Sequence, residues 1–277
     1  MNYVEDYRAY LELRRVADWT RIKFTSYVKY LLDYEPDPKK ITLKTLSELI
    51  KKRRWNTPAA KLFITSASSF LGYLKEQGVI SINAAENLKI RWKEKQKKYI
   101  VLNDEEMRRV LELAERNMPL REYILIRLFI ETGARRNEVL NIMLENIDSA
   151  GGKILLETTK GSKPRTVYIG GKTADLIGQY AKGMLSGRLF TCGYAEVGRA
   201  VKTAIQIAFP LDIEKHKMTP HSLRHSFVTS FIANGGNTIA LKHILGWTSL
   251  DMLKTYEHLQ DNTIQAEYEK IAQRRAM

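Results

Sequence analysis

The 277 residues hold 45 Lys+Arg against 31 Asp+Glu, a formal charge of +14, and 44% of them are hydrophobic. That hydrophobic share excludes a disordered chain. The length exceeds what one average domain needs and predicts two, and a lone cysteine, Cys192, excludes an intramolecular disulfide and a Cys-rich zinc site.

A cationic surplus of this size favours a polyanionic partner, nucleic acid first. The first 98 residues carry 21 basic and 11 acidic side chains, so most of the excess lies in the first third. The opening Met1-Asn2-Tyr3-Val4-Glu5-Asp6 has no basic stretch or apolar core of a signal peptide. The best apolar run, 123–130, contains Arg127 and is too short to span a bilayer. The expectation is a cytoplasmic, DNA-associated protein with no membrane partner.

In chain order, 3–16 and 20–32 show helical apolar spacing without glycine. Glu35-Pro36-Asp37-Pro38 ends the second helix, because two prolines cannot continue it. A short helix is predicted over 43–52. Thr57-Pro58 reads as an N-cap followed by proline at the first helical position, opening a helix to about Gln77. These four helices form an all-helical domain over 1–88. Residues 89–98 read as a basic linker: Arg91, Lys93, Lys95, Lys97 and Lys98 lie in it with little apolar periodicity. Such a run is either solvated or a strap along phosphates.

The second domain, 99–277, opens with Asn103 capping Asp104-Glu105-Glu106. An apolar core helix over 120–132 ends at Gly133, and another covers 136–145. Two strand-like runs, 153–157 and 165–169, flank Lys160-Gly161-Ser162-Lys163-Pro164 as a β-hairpin. Helices follow over 173–184 and 196–207. Thr219-Pro220 opens one closed by Gly235-Gly236, Asn237 caps one closed by Gly246, and further helices run over 248–256 and from 262. The fold class is mainly α with one small antiparallel β-sheet.

Two partial motifs are decoys. Gly171-Lys172-Thr173 resembles the end of a P-loop, but Thr166 stands where its first glycine belongs, so it reads as a turn into a helix. His221 and His225 have zinc-ligand spacing, but Arg224 lies between them and Ser222 replaces the expected glutamate. No metal site is predicted, and no dense Asp/Glu cluster suggests a two-metal nuclease.

Three segments carry the chemistry together. They are Thr132-Gly133-Ala134-Arg135-Arg136-Asn137-Glu138, the hairpin with Lys160, and His221-Ser222-Leu223-Arg224 continuing to Leu245-Gly246-Trp247 and Tyr256. Each is weak alone; their order and spacing are specific. With them the chain resembles the tyrosine recombinase family, the Cre, Xer and phage-integrase group, over nearly its whole length. The resemblance makes Arg135, Lys160, His221, Arg224, Trp247 and Tyr256 the catalytic set, with Glu138 in support. It makes 1–88 a core-binding domain and 99–277 the catalytic domain with a C-terminal docking helix. Trp247 stands where many members have histidine, Asn83-Ala84-Ala85 where Asn-Pro is usual, and Ala134 where leucine is frequent.

The resemblance implies a site-specific recombinase that cleaves and rejoins double-stranded DNA through a 3′-phosphotyrosine on Tyr256. Two arginine forks clamp the phosphoryl oxygens, so neither metal, ATP nor another cofactor is required. Neighbouring cations should favour the Tyr256 phenolate. Lys160 is placed to protonate the leaving 5′ oxygen, His221 to take the tyrosine proton or hold the phosphate, and Trp247 to pack and donate one N–H. A clamp around DNA and a homotetramer on two synapsed sites are implied; no particular accessory protein is. A type IB topoisomerase-like nicking-closing enzyme and a non-catalytic DNA-binding regulator on the same scaffold are the alternatives, the second disfavoured by the intact set of six. Past Tyr256, Ile264, Tyr268 and Ile271 form a narrow apolar stripe suited to docking, in cis or on a neighbouring protomer.

Overall fold

The computed structural model describes residues 2–86, 88, 99–157, 164–250, 253 and 256. The chain divides into two compact units, Met1–Gln96 and Lys97–Met277.

The first unit is a four-helix assembly: α1 (Tyr3–Leu13), α2 (Asp18–Tyr34), α3 (Leu43–Arg53) and α4 (Thr57–Glu76). Helix α4 is its axis. Ala60, Phe63, Ile64, Ala67, Phe70, Leu71 and Leu74 recur at three- and four-residue steps and are all buried. Tyr7 of α1 meets Phe70 edge-on at 5.3 Å, and Trp55 packs on Tyr27 and Phe63 at 5.2 and 4.7 Å. The cap of α4 differs from the sequence reading. Asn56, not Thr57, is the N-cap, its Oδ1 accepting from the Ala59 N–H at 3.1 Å, and Thr57 is already helical. Helix α1 ends at Leu13, short of the expected 16, because Arg15 takes a left-handed conformation. Where Asn-Pro was the expected pattern, Asn83 does the fixing itself. It is buried, donates from Nδ2 to the Ser68 carbonyl at 2.9 Å, and accepts the Ala85 N–H at 3.0 Å.

The second unit is built round α6 (Leu120–Thr132), which is buried on almost every side and packs against α5 (Asp104–Asn117), α8 (Gly171–Tyr180), α9 (Tyr194–Ala208) and α10 (Pro220–Ala233). Asn103 and Glu106 form the capping box that starts α5. The helix expected over 136–145 is shorter: α7 spans Arg136–Leu140 only. Beyond it the backbone turns to pair with a neighbouring loop, the Leu144 N–H donating to the Gly187 carbonyl at 2.9 Å and the Leu189 N–H to the Ile142 carbonyl at 2.8 Å. Long-range pairing therefore overrides the helical pattern. The turn yields a strand that the sequence did not announce, β1 (Ile147–Asp148), beside β2 (Lys153–Leu156) and β3 (Arg165–Tyr168) in an antiparallel sheet of order β1-β2-β3. In the register Leu156↔Arg165 and Ile154↔Val167, the buried face carries Ile154, Leu156, Arg165 and Val167. Helix α8 begins at Gly171, two residues before the expected 173, and ends at Tyr180 rather than 184. Its Thr173 hydroxyl is held by Glu131 and Arg127, so the Gly-Lys-Thr segment is structural. Helix α11 spans Thr238–Leu245. The hairpin turn 158–163, residues 251, 252, 254 and 255 of the expected 248–256 helix, and the tail from 257 lie outside the described residues.

The start of this unit is tied to α10 by several hydrogen bonds, one of them fully buried. The Leu102 N–H donates to the Ser226 Oγ of α10 at 2.9 Å, with both residues fully buried. Ser226→Ala leaves that N–H without an acceptor and should lower the unfolding free energy by about 1–3 kcal/mol. Urea unfolding measures it; a loss under about 0.5 kcal/mol would show that water reaches the group.

Candidate active site

Two helices end at this site in the same way. Helix α6 closes on Gly133 (φ 58°) and α11 on Gly246 (φ 62°), both left-handed. A Cβ on Gly133 would stand 2.5 Å from the Phe227 ring, and one on Gly246 3.1 Å from the Arg165 side chain. Carbonyls at such termini lack helical partners and carry the negative end of the helix dipole. Here guanidinium groups take them. Arg224 donates to the Gly133 carbonyl at 2.6 Å and to the Leu245 carbonyl at 3.1 Å. Arg135 reaches the same Leu245 carbonyl at 3.5 Å, and Arg165 donates from Nε to the Ile244 carbonyl at 2.7 Å.

Glu138 binds the cluster together. Arg135 precedes α7 as its N-cap, its main-chain N–H donating to Glu138 Oε2 at 2.6 Å and its guanidinium to Oε1 at 2.9 Å. Arg165 forms a two-pronged pair with both Glu138 oxygens, each at 2.7 Å. Burial pushes the Glu138 carboxyl upward, but Arg165 and the Arg135 N–H outweigh it and hold it at about 2. Burial, aided by the charge on Arg135, brings Arg224 down to about 9, which leaves it charged at neutral pH.

Arg135 and Arg224 face a cleft of about 940 Å³, also lined by Arg136, Lys202, Tyr194 and His221. Arg136 is held there over the Tyr194 ring, 3.1 Å from its centroid. Among the described residues that line it the only acid is Glu138, already engaged by two arginines. A cationic cleft with two guanidinium forks suits a phosphodiester.

Of the six expected catalytic residues, the structure brings Arg135, His221 and Arg224 to this cleft. Tyr256 and Trp247 lie instead in an apolar cluster with Val228, Ile232, Leu241, Leu245 and Leu253. Tyr256 is 5% exposed, and its hydroxyl is hydrogen-bonded to Nδ1 of His225 rather than to His221. His221 is exposed and meets the His225 ring edge-on at 4.5 Å. The expected phenolate is also corrected. Burial and Tyr99 push the Tyr256 hydroxyl far above its ordinary range, against the opposing pull of Arg224, so it is a neutral phenol. Lys160 and the linker cations Arg91, Lys93, Lys95, Lys97 and Lys98 fall outside the described residues. Among the described residues there is no cluster of three or more metal-ligating side chains, and no helix is long and apolar enough to cross a membrane.

Sequence reasoning missed Arg165 and His225. Arg165 left a signal: in the strand 165–169 it shares one face with Val167 and Ile169, so period-two alternation places it inward. His225 was weighed only as a zinc ligand; its position after Arg224, on a helix packed against the tyrosine segment, gave no separate signal.

The sequence profile of the phage integrase family matches residues 100–263. The tyrosine recombinase XerA of Saccharolobus solfataricus is 26% identical over 267 residues, covering 89% of this chain and 84% of that protein. The integrase of Escherichia phage P2 is 34% identical over 138 residues, covering 50% of this chain and 38% of that one. Among solved structures, a lambda integrase (75-356) dimer bound to a COC' core site has the same fold. Its TM-score is 0.73 at 18% identity, over 90% of this chain and 95% of that one.

The Glu138 cluster predicts a pH signature. A carboxyl held at about 2 in the fold, against an ordinary 4.5, adds stability that is complete above about pH 4.5 and fades as pH falls toward 2. Glu138→Gln should therefore be destabilised at pH 7 by about 3–5 kcal/mol, the scale of breaking a buried pair. The gap to the parent protein should narrow below pH 4.5. Denaturant midpoints at pH 7, 5 and 3.5 measure it, and a constant gap would contradict the charge assignment.

Proposed function

The chain belongs to the phage integrase family, the tyrosine recombinases, and from that premise we propose the reaction it performs: cleavage and rejoining of duplex DNA at specific sites through a 3′-phosphotyrosine. The observation that carries this reading is the convergence of Arg135 and Arg224 on the Leu245 carbonyl at the wall of a cationic cleft. Relatives solved on DNA, including the lambda integrase dimer on its core site, support duplex DNA as the substrate.

The scissile phosphate enters the cleft with its non-bridging oxygens between the two guanidinium forks, beside His221. The Tyr256 oxygen attacks phosphorus as its hydroxyl proton passes to His221, the bond from phosphorus to the 5′ oxygen breaks, and the leaving oxygen takes a proton from Lys160. Each phosphodiester broken becomes a phosphotyrosyl ester, so resealing needs no ATP. The forks supply the positive charge that the transition state requires, and no metal is invoked. Trp247 packs against Tyr256 and supports its segment. Four protomers on two DNA sites complete strand exchange, with the stripe at Ile264, Tyr268 and Ile271 docking on a neighbouring protomer. The linker cations Arg91, Lys93, Lys95, Lys97 and Lys98 follow the phosphate backbone.

A duplex nicked near the scissile phosphate traps the covalent complex. Tyr256→Phe should bind this substrate normally and form no adduct; an adduct of normal yield would remove Tyr256 from the nucleophile's role. Arg135→Lys and Arg224→Lys keep charge but lose the fork. Each should slow single-turnover cleavage by about a hundredfold or more while changing binding little. Equal losses in both would make them ordinary DNA anchors. A two-site plasmid distinguishes recombination from simple relaxation. Neutralising Lys93, Lys95, Lys97 and Lys98 together should flatten the salt dependence of binding by up to about four counterion units, and an unchanged slope would return the run to solvent.

A further inference from the structure

The reaction above assigns no role to His225, which is 6% exposed and hydrogen-bonded to the proposed nucleophile. Its ring has a defined face on each side that matters. Nδ1 is bonded to the Tyr256 hydroxyl, Tyr99 stacks on the ring at 3.7 Å with an interplanar angle of 26°, and His221 stands against its edge. Nε2 is buried and has no hydrogen-bond partner among the described residues. Neither His225 nor Tyr256 lines the cleft where Arg135, Arg224 and His221 meet.

We propose that His225 parks the nucleophile: in the resting protein its imidazole holds the Tyr256 hydroxyl out of the phosphate cleft, Tyr99 closes over that grip, and cleavage requires Tyr256 to leave His225. The proposal rests on the assignment of Tyr256 as nucleophile.

In this arrangement the Tyr256 O–H is the donor and Nδ1 of His225 the acceptor. Val228, Leu245, Trp247 and Leu253 surround Tyr256, and an O–H in such a place must donate to something. Nδ1 of His225 is the acceptor it has, which puts the imidazole proton on Nε2 and leaves the ring neutral. The environment enforces the same states. Burial, with His221 and Arg224, brings the imidazole down to about 4, while burial raises the phenol. A group that holds a proton so weakly is poorly matched to act as general base at neutral pH. It is well suited to accept a hydrogen bond and keep the phenol intact. Attack on phosphorus needs the tyrosine oxygen about 3–3.5 Å from the phosphate and in line with the leaving oxygen. A hydroxyl already committed to Nδ1, on a side chain that the cleft does not include, does not meet that condition.

Two measurements on the full chain test this. Nitrogen-15 NMR of the histidine rings, without DNA at neutral pH, should show His225 as the Nε2–H form with a hydrogen-bonded Nδ1, and Tyr256→Phe should move Nδ1 to the unbonded position. An Nδ1 signal indifferent to Tyr256→Phe overturns the proposal without any reference to catalysis. In single-turnover cleavage of the nicked duplex, His225→Phe keeps the stack on Tyr99 but loses the acceptor, and should cleave about fivefold faster, the equivalent of one net hydrogen bond. His225→Asn restores an acceptor near Nδ1 and should return to within about twofold of the parent. Tyr99→Ala, at a half-exposed site, should also cleave faster, and it serves if His225→Phe fails to fold. Slower cleavage by folded His225→Phe, as for a general base, or an unchanged rate, as for a purely structural ring, would each overturn the proposal. An adduct formed by Tyr256→Phe would instead overturn the nucleophile assignment, and the NMR result would stand apart from it.

Discussion

The site depends on one buried carboxylate. Arg135, Arg165 and Arg224 lie close enough that each charge lowers the proton affinity of Arg224 or competes for the same acceptors. Three guanidinium groups in partly dry surroundings repel one another, and the fold tolerates them because Glu138 sits between two of them. One negative charge against three positive leaves a residual positive field. In the proposed reaction that residual charge has a use: a phosphodiester brings one negative charge, and the pentacoordinate state of phosphoryl transfer concentrates more at its oxygens. A second carboxylate would relieve the repulsion and cancel the field the reaction needs.

The remaining acceptors are therefore neutral. The Gly133, Ile244 and Leu245 carbonyls satisfy guanidinium N–H groups without removing charge. They are available because two helices stop at left-handed glycines, where side chains would collide with Phe227 or Arg165. The glycines thus do more than end helices. They let the backbone come close enough for arginine to use the carbonyls that the helices leave over. Arg165 adds the third tie, joining β3 to α7 and to the end of α11.

Much of this could be read before any coordinates. The helix-ending glycines, the caps at Asn103 and Asn237 and the helical first unit follow from local rules, and the grouping of Arg135, Glu138, His221 and Arg224 from the family resemblance. Misreadings occurred where distant backbone intervened. Residues 141–145 look helical, yet 142–144 pair with 187–189 across the unit. The N-cap shifted to Asn56 because its amide oxygen reaches the free Ala59 N–H and Thr57 can enter the helix. The Tyr256 phenolate was misjudged for a different reason: charge neighbours are visible in a sequence, whereas desolvation is not. Tyr256 comes near Arg224, but the apolar side chains around it decide its protonation.

That separation gives the site its logic. In the proposed reaction, the half that binds phosphate is held ready by ion pairs and carbonyls, while the tyrosine sits among apolar side chains as a neutral phenol. A ready cationic cleft with an exposed phenolate beside it would attack any phosphodiester that diffused in. Keeping the two halves in different dielectric surroundings prevents this without removing either. Leu245-Gly246-Trp247 joins them. The Leu245 carbonyl serves Arg135 and Arg224, whereas the Leu245 and Trp247 side chains pack in the cluster around Tyr256. A displacement of that tripeptide would loosen the tyrosine's surroundings and disturb the arginine forks together. The proposed release of Tyr256 from His225 must therefore leave this tripeptide in place, because its Leu245 carbonyl holds both arginine forks.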